Sequence, residues 1–183
     1  NRFVYAHFLD MPDDARALMT AIFGKYEHAE NAHLDYAQAK RRILNWLSEN
    51  IEYSESAAPR AEGADFLTDF LTNAKSGYDV HYAAAATMMM RYFGIPARYV
   101  EGYLITPDDA ESMQPDAPYT IAETNAHAWT EIYQDGVGWI PFETAPKYLN
   151  LMPQADRLSG SGSAQDQPQN EMQDDMPLPE SSL

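Results

Sequence analysis

Residues 76–107 of the chain read SGYDVHYAAAATMMMRYFGIPARYVEGYLITP, and this stretch decides the fold. From Asp79 to Phe93, alanines and methionines fall on every side of a helical projection, which is typical of a helix that is buried all round. Gly94 ends this helix, Pro96 prevents its continuation, and the alternating β-branched and aromatic residues from Arg98 to Thr106 predict a strand. The stretch therefore predicts a central helix followed by the first strand of a sheet.

The residues before this stretch predict mainly short helices. Hydrophobic residues at spacings of three and four predict helices at Asp13 to Phe23, Leu34 to Asn50 and Ala64 to Lys75. The aromatic residues between Asn1 and Leu9 predict a strand or an extended segment, and Ser76 with Gly77 predicts a turn before the central helix.

The residues after the first strand predict the rest of the sheet. Pro107 to Pro118 is rich in proline and acidic residues and predicts a flexible flap near one end of the sheet. Tyr119 to Ala122, Ala126 to Gln134 and Gly138 to Glu143 predict strands, and Asp135-Gly136 predicts a tight turn between the last two.

Length and composition limit the possible domains and partners. A chain of 183 residues with 45% hydrophobic residues is long enough for one domain with extensions. A net charge of −16 argues against nucleic acid as a partner, because phosphate binding needs clustered Lys and Arg. The sequence contains no cysteine, which excludes disulfides and thiol catalysis, and it contains no apolar run of about 18 residues that could span a bilayer.

We expect the chain to consist of three parts, the last of which is set apart by its composition. Residues 1–33 form a lead-in with one short helix, and residues 34–148 form the main domain. Residues 149–183 contain no aromatic residue and no Val, Ile or Thr. Such an acidic segment cannot bury enough apolar surface to offset the entropy of ordering, so we expect a disordered tail or linker.

Four blocks of the sequence carry a family resemblance. They are GYDVHYA at residues 77–83, GIPARYVEGY at 94–103, HAWTE at 127–131 and GWIPFETAP at 138–146. In this order they resemble the bacterial transglutaminase-like domain of the papain-like cysteine-protease superfamily. The resemblance implies an α+β fold, papain-like and transglutaminase-like, with the central buried helix packed on an antiparallel sheet.

The resemblance also implies a catalytic site, with one departure. The family's histidine falls at His127 and its orienting carboxylate at Glu143, while the nucleophilic cysteine would fall at residue 79, which is Asp79. In such a triad the attacking thiolate lies at a helix N-terminus, the histidine carries the proton and the carboxylate orients the histidine. Independently of the resemblance, the tight turn at Asp135-Gly136 can bring His127 and Glu143 close together, because it joins the two strands that carry them.

Asp79 has several possible roles. It could simply cap the central helix, because aspartate accepts hydrogen bonds from free N–H groups for about 1 kcal/mol. It could form an ion pair with His127, or it could act with His127 as a general acid and base on water, with or without a divalent metal. An introduced substitution at position 79 is a further alternative. The loss of the thiol favours an inactive domain with a degenerate triad of Asp79, His127 and Glu143, and the active hydrolase is the alternative.

The other charged and ring side chains predict structural roles. His81 is expected to be packed or hydrogen-bonded in the core, and Arg98 to pair with Glu101 or Glu131. The remaining histidines, His7, His28 and His33, are expected at the surface. No cofactor or metal is expected. The resemblance implies that the cleft binds a peptide or a cell-envelope protein and that the location is extracytoplasmic. It also implies that the chain is a fragment of a longer, membrane-anchored protein. We expect the fragment itself to make no contact with the membrane.

Overall fold

The computed structural model describes residues 1–26, 35–57, 59–60 and 62–152. Its helices are α1 (Arg2–His7), α2 (Asp13–Phe23), α3 (Tyr36–Asn50), α4 (Phe66–Thr68), α5 (Asp79–Tyr92) and α6 (Pro107–Ser112), with a π-helix at Asp69–Ala74 and a 3-10 helix at Glu123–Asn125. Its strands are β1 (Glu52–Tyr53), β2 (Ser76–Gly77), β3 (Ala97–Tyr103), β4 (Ala126–Gln134) and β5 (Gly138–Phe142). Within these described ranges, no helix is both long enough and apolar enough to cross a bilayer.

Helix α5 lies at the centre of the fold. Ala85, Ala86, Met89 and Met90 on this helix have no exposed surface. The helix contacts α2, α3, β3 and β4, and its alanines and flexible methionines allow these neighbours to approach from several directions. The prediction of a central buried helix is confirmed.

The main sheet is antiparallel, with strand order β3-β4-β5. Arg98 of β3 faces Glu131 of β4, and Gly102 faces His127. The hairpin between β4 and β5 pairs Thr130 with Phe142. The α+β class and the packing of a central helix on an antiparallel sheet are therefore confirmed, and β3, β4 and β5 correspond to three of the predicted strands.

The segment before α5 differs from its prediction. The predicted helix from Ala64 to Lys75 is a single turn of α-helix, α4, followed by the π-helix, which ends at Lys75 with a φ of 49°. The widened turn buries both Phe70 and Leu71, although they are adjacent in sequence. The predicted turn at Ser76 and Gly77 is instead strand β2, which pairs in parallel with β1. A Cβ at Gly77 would lie 2.8 Å from the His81 ring, so this strand needs glycine.

The N-terminal lead-in is helical, which corrects the prediction of a strand between Asn1 and Leu9. The rings of Phe3 and His7 lie 4.4 Å apart, one helical turn from each other on α1. The Tyr5 hydroxyl donates to Asp135 at the β4–β5 turn. These contacts favour a helix over the extended conformation that the aromatic content suggests.

Helices α2 and α3 agree with the sequence. Helix α2 has the predicted bounds, and α3 begins at Tyr36, whereas the predicted start at Leu34 lies outside the described residues. The predicted division of the chain at residues 33/34 and 148/149 stays a prediction, because most of the tail lies outside the described ranges.

Residues 104–125, which join β3 to β4, form an ordered connection. Its first part is helix α6, where the Thr106 hydroxyl accepts from the Asp109 backbone N–H and Asp109 accepts from the Thr106 backbone N–H. The predicted strand at Tyr119 to Ala122 is wrong, because those residues have no regular secondary structure. Asp109 instead organises the connection by accepting hydrogen bonds from Tyr119 and Asn125.

Candidate functional site

Helix α5 presents Asp79 at its first turn. Tyr78 occupies the N-cap position and Asp79 is the first helical residue. One oxygen of Asp79, Oδ1, accepts from the Val80 backbone N–H at 2.8 Å. The other, Oδ2, accepts from the Ala128 backbone N–H at 3.0 Å and lies 2.7 Å from Nδ1 of His127. Asp79 is therefore more than a helix cap, because half of its carboxylate faces β4.

His127 lies between two carboxylates. It is the second residue of β4, and its Nε2 lies 2.7 Å from Oε2 of Glu143. Glu143 directly follows β5, and its Oε1 accepts from the backbone N–H groups of Thr144 and Ala145 at 2.8 and 2.7 Å. The exposed fractions of His127 and Glu143 are only 3% and 1%. The structure thus brings all three predicted site residues into one hydrogen-bonded row.

The row is a charged cluster at neutral pH. Burial acts to lower the pKa of His127, but hydrogen bonds from the ring to Asp79 and Glu143, together with the charges of both carboxylates, outweigh burial and raise this pKa to about 9. Burial acts to raise the pKa of Asp79, but the hydrogen bonds from His127, Ala128 and Val80 lower it overall. The cluster is an imidazolium between two anions, which is the ion pair that the sequence offered as one alternative for Asp79.

The row is a poor metal site as it is arranged. A histidine binds a metal through a ring nitrogen that carries a free lone pair. Both ring nitrogens of His127 lie against carboxylates, so a metal would have to displace one of them. In the described part of the chain, no group of three or more His, Cys, Asp and Glu side chains is arranged to hold a metal ion.

Two aromatic side chains pack against His127. The ring of Tyr148 lies 3.9 Å from the imidazole ring, and the indole of Trp129 stacks on it at 5.9 Å. The Trp129 ring lies so close to Gly102 that a Cβ there would come within 2.9 Å of it. These rings restrict the orientation of the imidazole, and the face of a ring attracts a cation.

A cleft of about 660 Å³ opens beside the row. Asp79 and His127 line it, whereas Glu143 lies behind His127. The wall also carries four tyrosines, Tyr53, Tyr78, Tyr103 and Tyr148. Lys147 pairs with Glu55 at the same wall. The sequence did not identify this wall, since its members come from separate segments that no periodic pattern connects.

The other predicted polar residues have structural positions. His81 is partly buried and stacks on Phe66 at 5.0 Å, and burial lowers its pKa, so it is a packed residue as expected. Arg98 donates to Glu131 at 2.8 Å, one of its two predicted partners. His7 is exposed, as expected for the surface histidines, and the predictions for His28 and His33 concern residues outside the described ranges.

The fold agrees with comparisons to other proteins. The solved periplasmic domain of TgpA from Pseudomonas aeruginosa, bound to ethylmercury, is similar with a TM-score of 0.57 and 29% identity over 81% of this chain and 50% of that one. A second structure of that domain gives a TM-score of 0.54 at 29% identity, over 81% of this chain and 48% of that one. These similarities support the assignment of the fold as transglutaminase-like.

Two relatives are similar in sequence. A protein-glutamine gamma-glutamyltransferase of Pseudomonas aeruginosa is 35% identical over 102 residues, which are 53% of this chain and 14% of that protein. The uncharacterized protein YebA of Bacillus subtilis is 25% identical over 143 residues, 78% of this chain and 19% of that protein. The chain therefore spans less than a fifth of the length of each.

A family model also matches the chain. The model of the transglutaminase-like superfamily matches residues 20–144, which contain Asp79, His127 and Glu143. The whole sequence lacks cysteine, so no thiol can stand at position 79 or elsewhere. Since the match covers more than half of the 183 residues, the chain belongs to the transglutaminase-like superfamily.

Proposed function

We propose that this domain binds an extended polypeptide in its cleft and performs neither transamidation nor proteolysis. In this proposal Asp79, His127 and Glu143 form a degenerate triad. The observation that supports it is the hydrogen bond of 2.7 Å between Asp79 and Nδ1 of His127, at the place where the family resemblance puts the thiol. Asp79 occupies the nucleophile position and holds the imidazole in a closed ion pair.

The carboxylate is chemically unsuited to the work of a thiolate. A carboxylate is a weak nucleophile towards an amide, and it is readily expelled from the adduct it would form. In a serine protease, loss of the nucleophile lowers turnover by a factor on the order of 10⁶. The same order of loss is expected here.

The protonation of His127 also opposes general-base catalysis. A base must have a free lone pair at the pH of the reaction. With a pKa of about 9, only about one His127 in a hundred is neutral at pH 7. This argument applies to attack by water as well as by a side chain, so it also disfavours the alternative of an Asp79–His127 hydrolase.

The shape and lining of the cleft support a binding role, and a related protein supports an extracytoplasmic location for the domain. A cleft of about 660 Å³ with four tyrosines in its wall offers the combination of apolar surface and a few polar groups that small ligand and peptide sites use. The related TgpA domain is periplasmic. We accordingly propose an extracytoplasmic location, with a peptide or cell-envelope protein as the ligand and no nucleic acid.

The test is to put sulfur in place of the carboxylate. The unaltered chain and the Asp79→Cys variant are assayed for incorporation of a fluorescent amine into a glutamine-containing peptide. We expect no incorporation by the unaltered chain and measurable incorporation by Asp79→Cys, lost again when His127→Ala is added. Asp79→Ser is the matched control, because a neutral hydroxyl fits the same space without a thiolate.

Two results would contradict the proposal. Hydrolysis of a peptide by the unaltered chain, abolished by His127→Gln, would establish the hydrolase and refute the inactive domain. A folded Asp79→Cys variant with no incorporation would show that the cleft does not present its ligand as the family's enzymes do.

A further inference from the structure

The mouth of the cleft exposes apolar side chains. Tyr103, at the end of β3, is 57% exposed and lines the cleft with Tyr78. The connection of residues 104–125 ends in the cleft wall at Thr124. Its exposed large apolar side chains are Ile105, Tyr119 and Ile121. Exposed tyrosines in the wall of a cleft mark an interaction surface, and the connection adjoins this wall at Thr124.

The same region is strongly acidic. Between Arg98 and Lys147 the sequence contains nine Asp and Glu residues and no Lys or Arg. Apart from Glu55, which pairs with Lys147, the exposed acidic residues are Glu101 in the cleft wall and, in the connection, Asp108, Glu111, Asp116 and Glu123. Among the residues that the structure describes, none of these five forms an ion pair.

The positive charges near the cleft are already neutralised. Lys147 pairs with Glu55, and His127 lies between Asp79 and Glu143. The cleft wall therefore keeps the unpaired charge of Glu101 beside tyrosine rings, and Glu123 adjoins the wall at Thr124. Both features attract cations, the charge over a distance of several ångströms and the rings at contact.

We propose that the ligand of the cleft is an extended polypeptide segment in which Lys or Arg side chains alternate with aromatic or aliphatic ones. This inference rests on the proposed binding function and adds the chemistry of the ligand. The cationic groups lie against Glu101 and the tyrosine faces of the cleft wall, while the apolar side chains cover Tyr103. Charge, rather than the primary amine, is recognised, so arginine serves as well as lysine.

Other occupants fit less well. A second copy of this chain, with a net charge of −16, would place like charges together at the cleft mouth. The chain's own residues 153–183 contain six acidic residues and one arginine, so they have the same sign as the cleft. Both would be repelled where a basic segment is attracted.

The experiment measures binding of labelled peptides to the full chain by fluorescence anisotropy. Four peptides share one Leu-Gly-X-Ala-Phe repeat, with X as lysine, arginine, glutamine or glutamate. We expect the lysine and arginine peptides to bind about equally, and about tenfold more tightly than the glutamine peptide, in about 50 mM sodium chloride. In about 500 mM sodium chloride this preference should largely disappear, because surface charges are then screened.

Variants locate the binding at the cleft. We expect the double variant Glu101→Lys and Glu123→Lys to weaken the lysine peptide about tenfold, and Tyr103→Ala to weaken both cationic peptides at either salt concentration. The matched control is Glu49→Lys, which reverses an exposed charge on α3, a helix that contributes no residue to the cleft wall. It should change the affinity less than twofold.

The outcomes separate the two proposals. Equal binding of all four peptides, weakened by Tyr103→Ala, keeps the binding function and refutes the preference for cations. No binding of any peptide refutes both. An equal effect of Glu49→Lys and the double variant shows attraction to net charge alone and overturns the site. A dimer in solution that Tyr103→Ala dissociates identifies a second copy as the occupant and also overturns it.

Discussion

Raising the pH should remove a defined part of the stability of this protein, because between about pH 6.5 and 9 His127 is protonated in the folded cluster but largely neutral in the unfolded chain. A neutral imidazole has one N–H, so at high pH either Asp79 or Glu143 must face a ring lone pair. The His127 pKa rises from 6.5 to about 9 on folding, and about 2.5 units correspond to about 3 kcal/mol. Since the folded pKa is the higher one, this stability is fully present below pH 6.5 and is lost as the pH rises through about 9.

The stability contributed by Asp79 depends on pH in the opposite direction. The pKa of Asp79 is lowered on folding, chiefly because hydrogen bonds from His127, Ala128 and Val80 outweigh its burial. The contribution of Asp79 is therefore present above its unfolded pKa of 3.8 and lost as the pH falls below it. The cluster should stabilise the fold most between about pH 4 and 6.5.

Urea unfolding between about pH 5.5 and 9.5 measures this dependence. The upper limit stays below the ordinary tyrosine pKa of 10.0, and burial raises the pKa of Tyr82 to about 12. The unaltered chain should lose about 3 kcal/mol across this range, whereas His127→Gln should lose much less. His7→Gln, which changes an exposed histidine of α1, is the matched control and should follow the unaltered chain.

Two results would refute the reasoning. One is a free energy of unfolding that changes equally with pH in the unaltered chain and in His127→Gln. The other is an NMR titration in which the His127 ring loses its proton near pH 6.5, because the two carboxylates would then not act on the ring as the distances of 2.7 Å require.

Two further predictions concern the core and the connection. Met90→Ala should lower the free energy of unfolding by about 2–5 kcal/mol, because Met90 is fully buried, and Met88→Ala, at a half-buried position, should cost less in the same urea titration. Asp109→Ala should increase hydrogen–deuterium exchange of residues 104–125 without a matching loss of global stability, because the Asp109 carboxylate accepts hydrogen bonds from both Tyr119 and Asn125. Unchanged exchange would show that other contacts hold the connection in place.

The sequence predicts those features that depend on local patterns. Helix α5 is recognisable because its small and apolar residues surround the helix axis, and the β4–β5 hairpin because Asp135-Gly136 separates two strand-like runs. The three site residues follow from the family blocks, and the structure brings Asp79, His127 and Glu143 together. Their identification needs little more than the order of the motifs.

Features that depend on distant partners were missed. Strand β2 is two residues long and exists because Ser76 and Gly77 pair with Glu52 and Tyr53, a pairing that carries no local signal. Helix α1 depends on contacts with the β4–β5 turn. The packing of Tyr148 on His127 could not be predicted either, because Tyr148 follows the last strand in a segment without periodicity.

The position that the family resemblance gives to the nucleophile favours a negative charge, which explains how aspartate can occupy it. A thiolate beside an imidazolium and a carboxylate beside an imidazolium are both anions at the start of a helix, where the exposed N–H groups favour negative charge. Asp79 therefore satisfies the electrostatic demands of the position, through Val80, Ala128 and His127, while its chemistry is that of a weak nucleophile. A neutral apolar residue such as leucine would instead leave the imidazolium with one partner and the Ala128 N–H without an acceptor. By this argument the position constrains charge more tightly than reactivity, so the proposed loss of transfer chemistry would leave the electrostatics of the site intact.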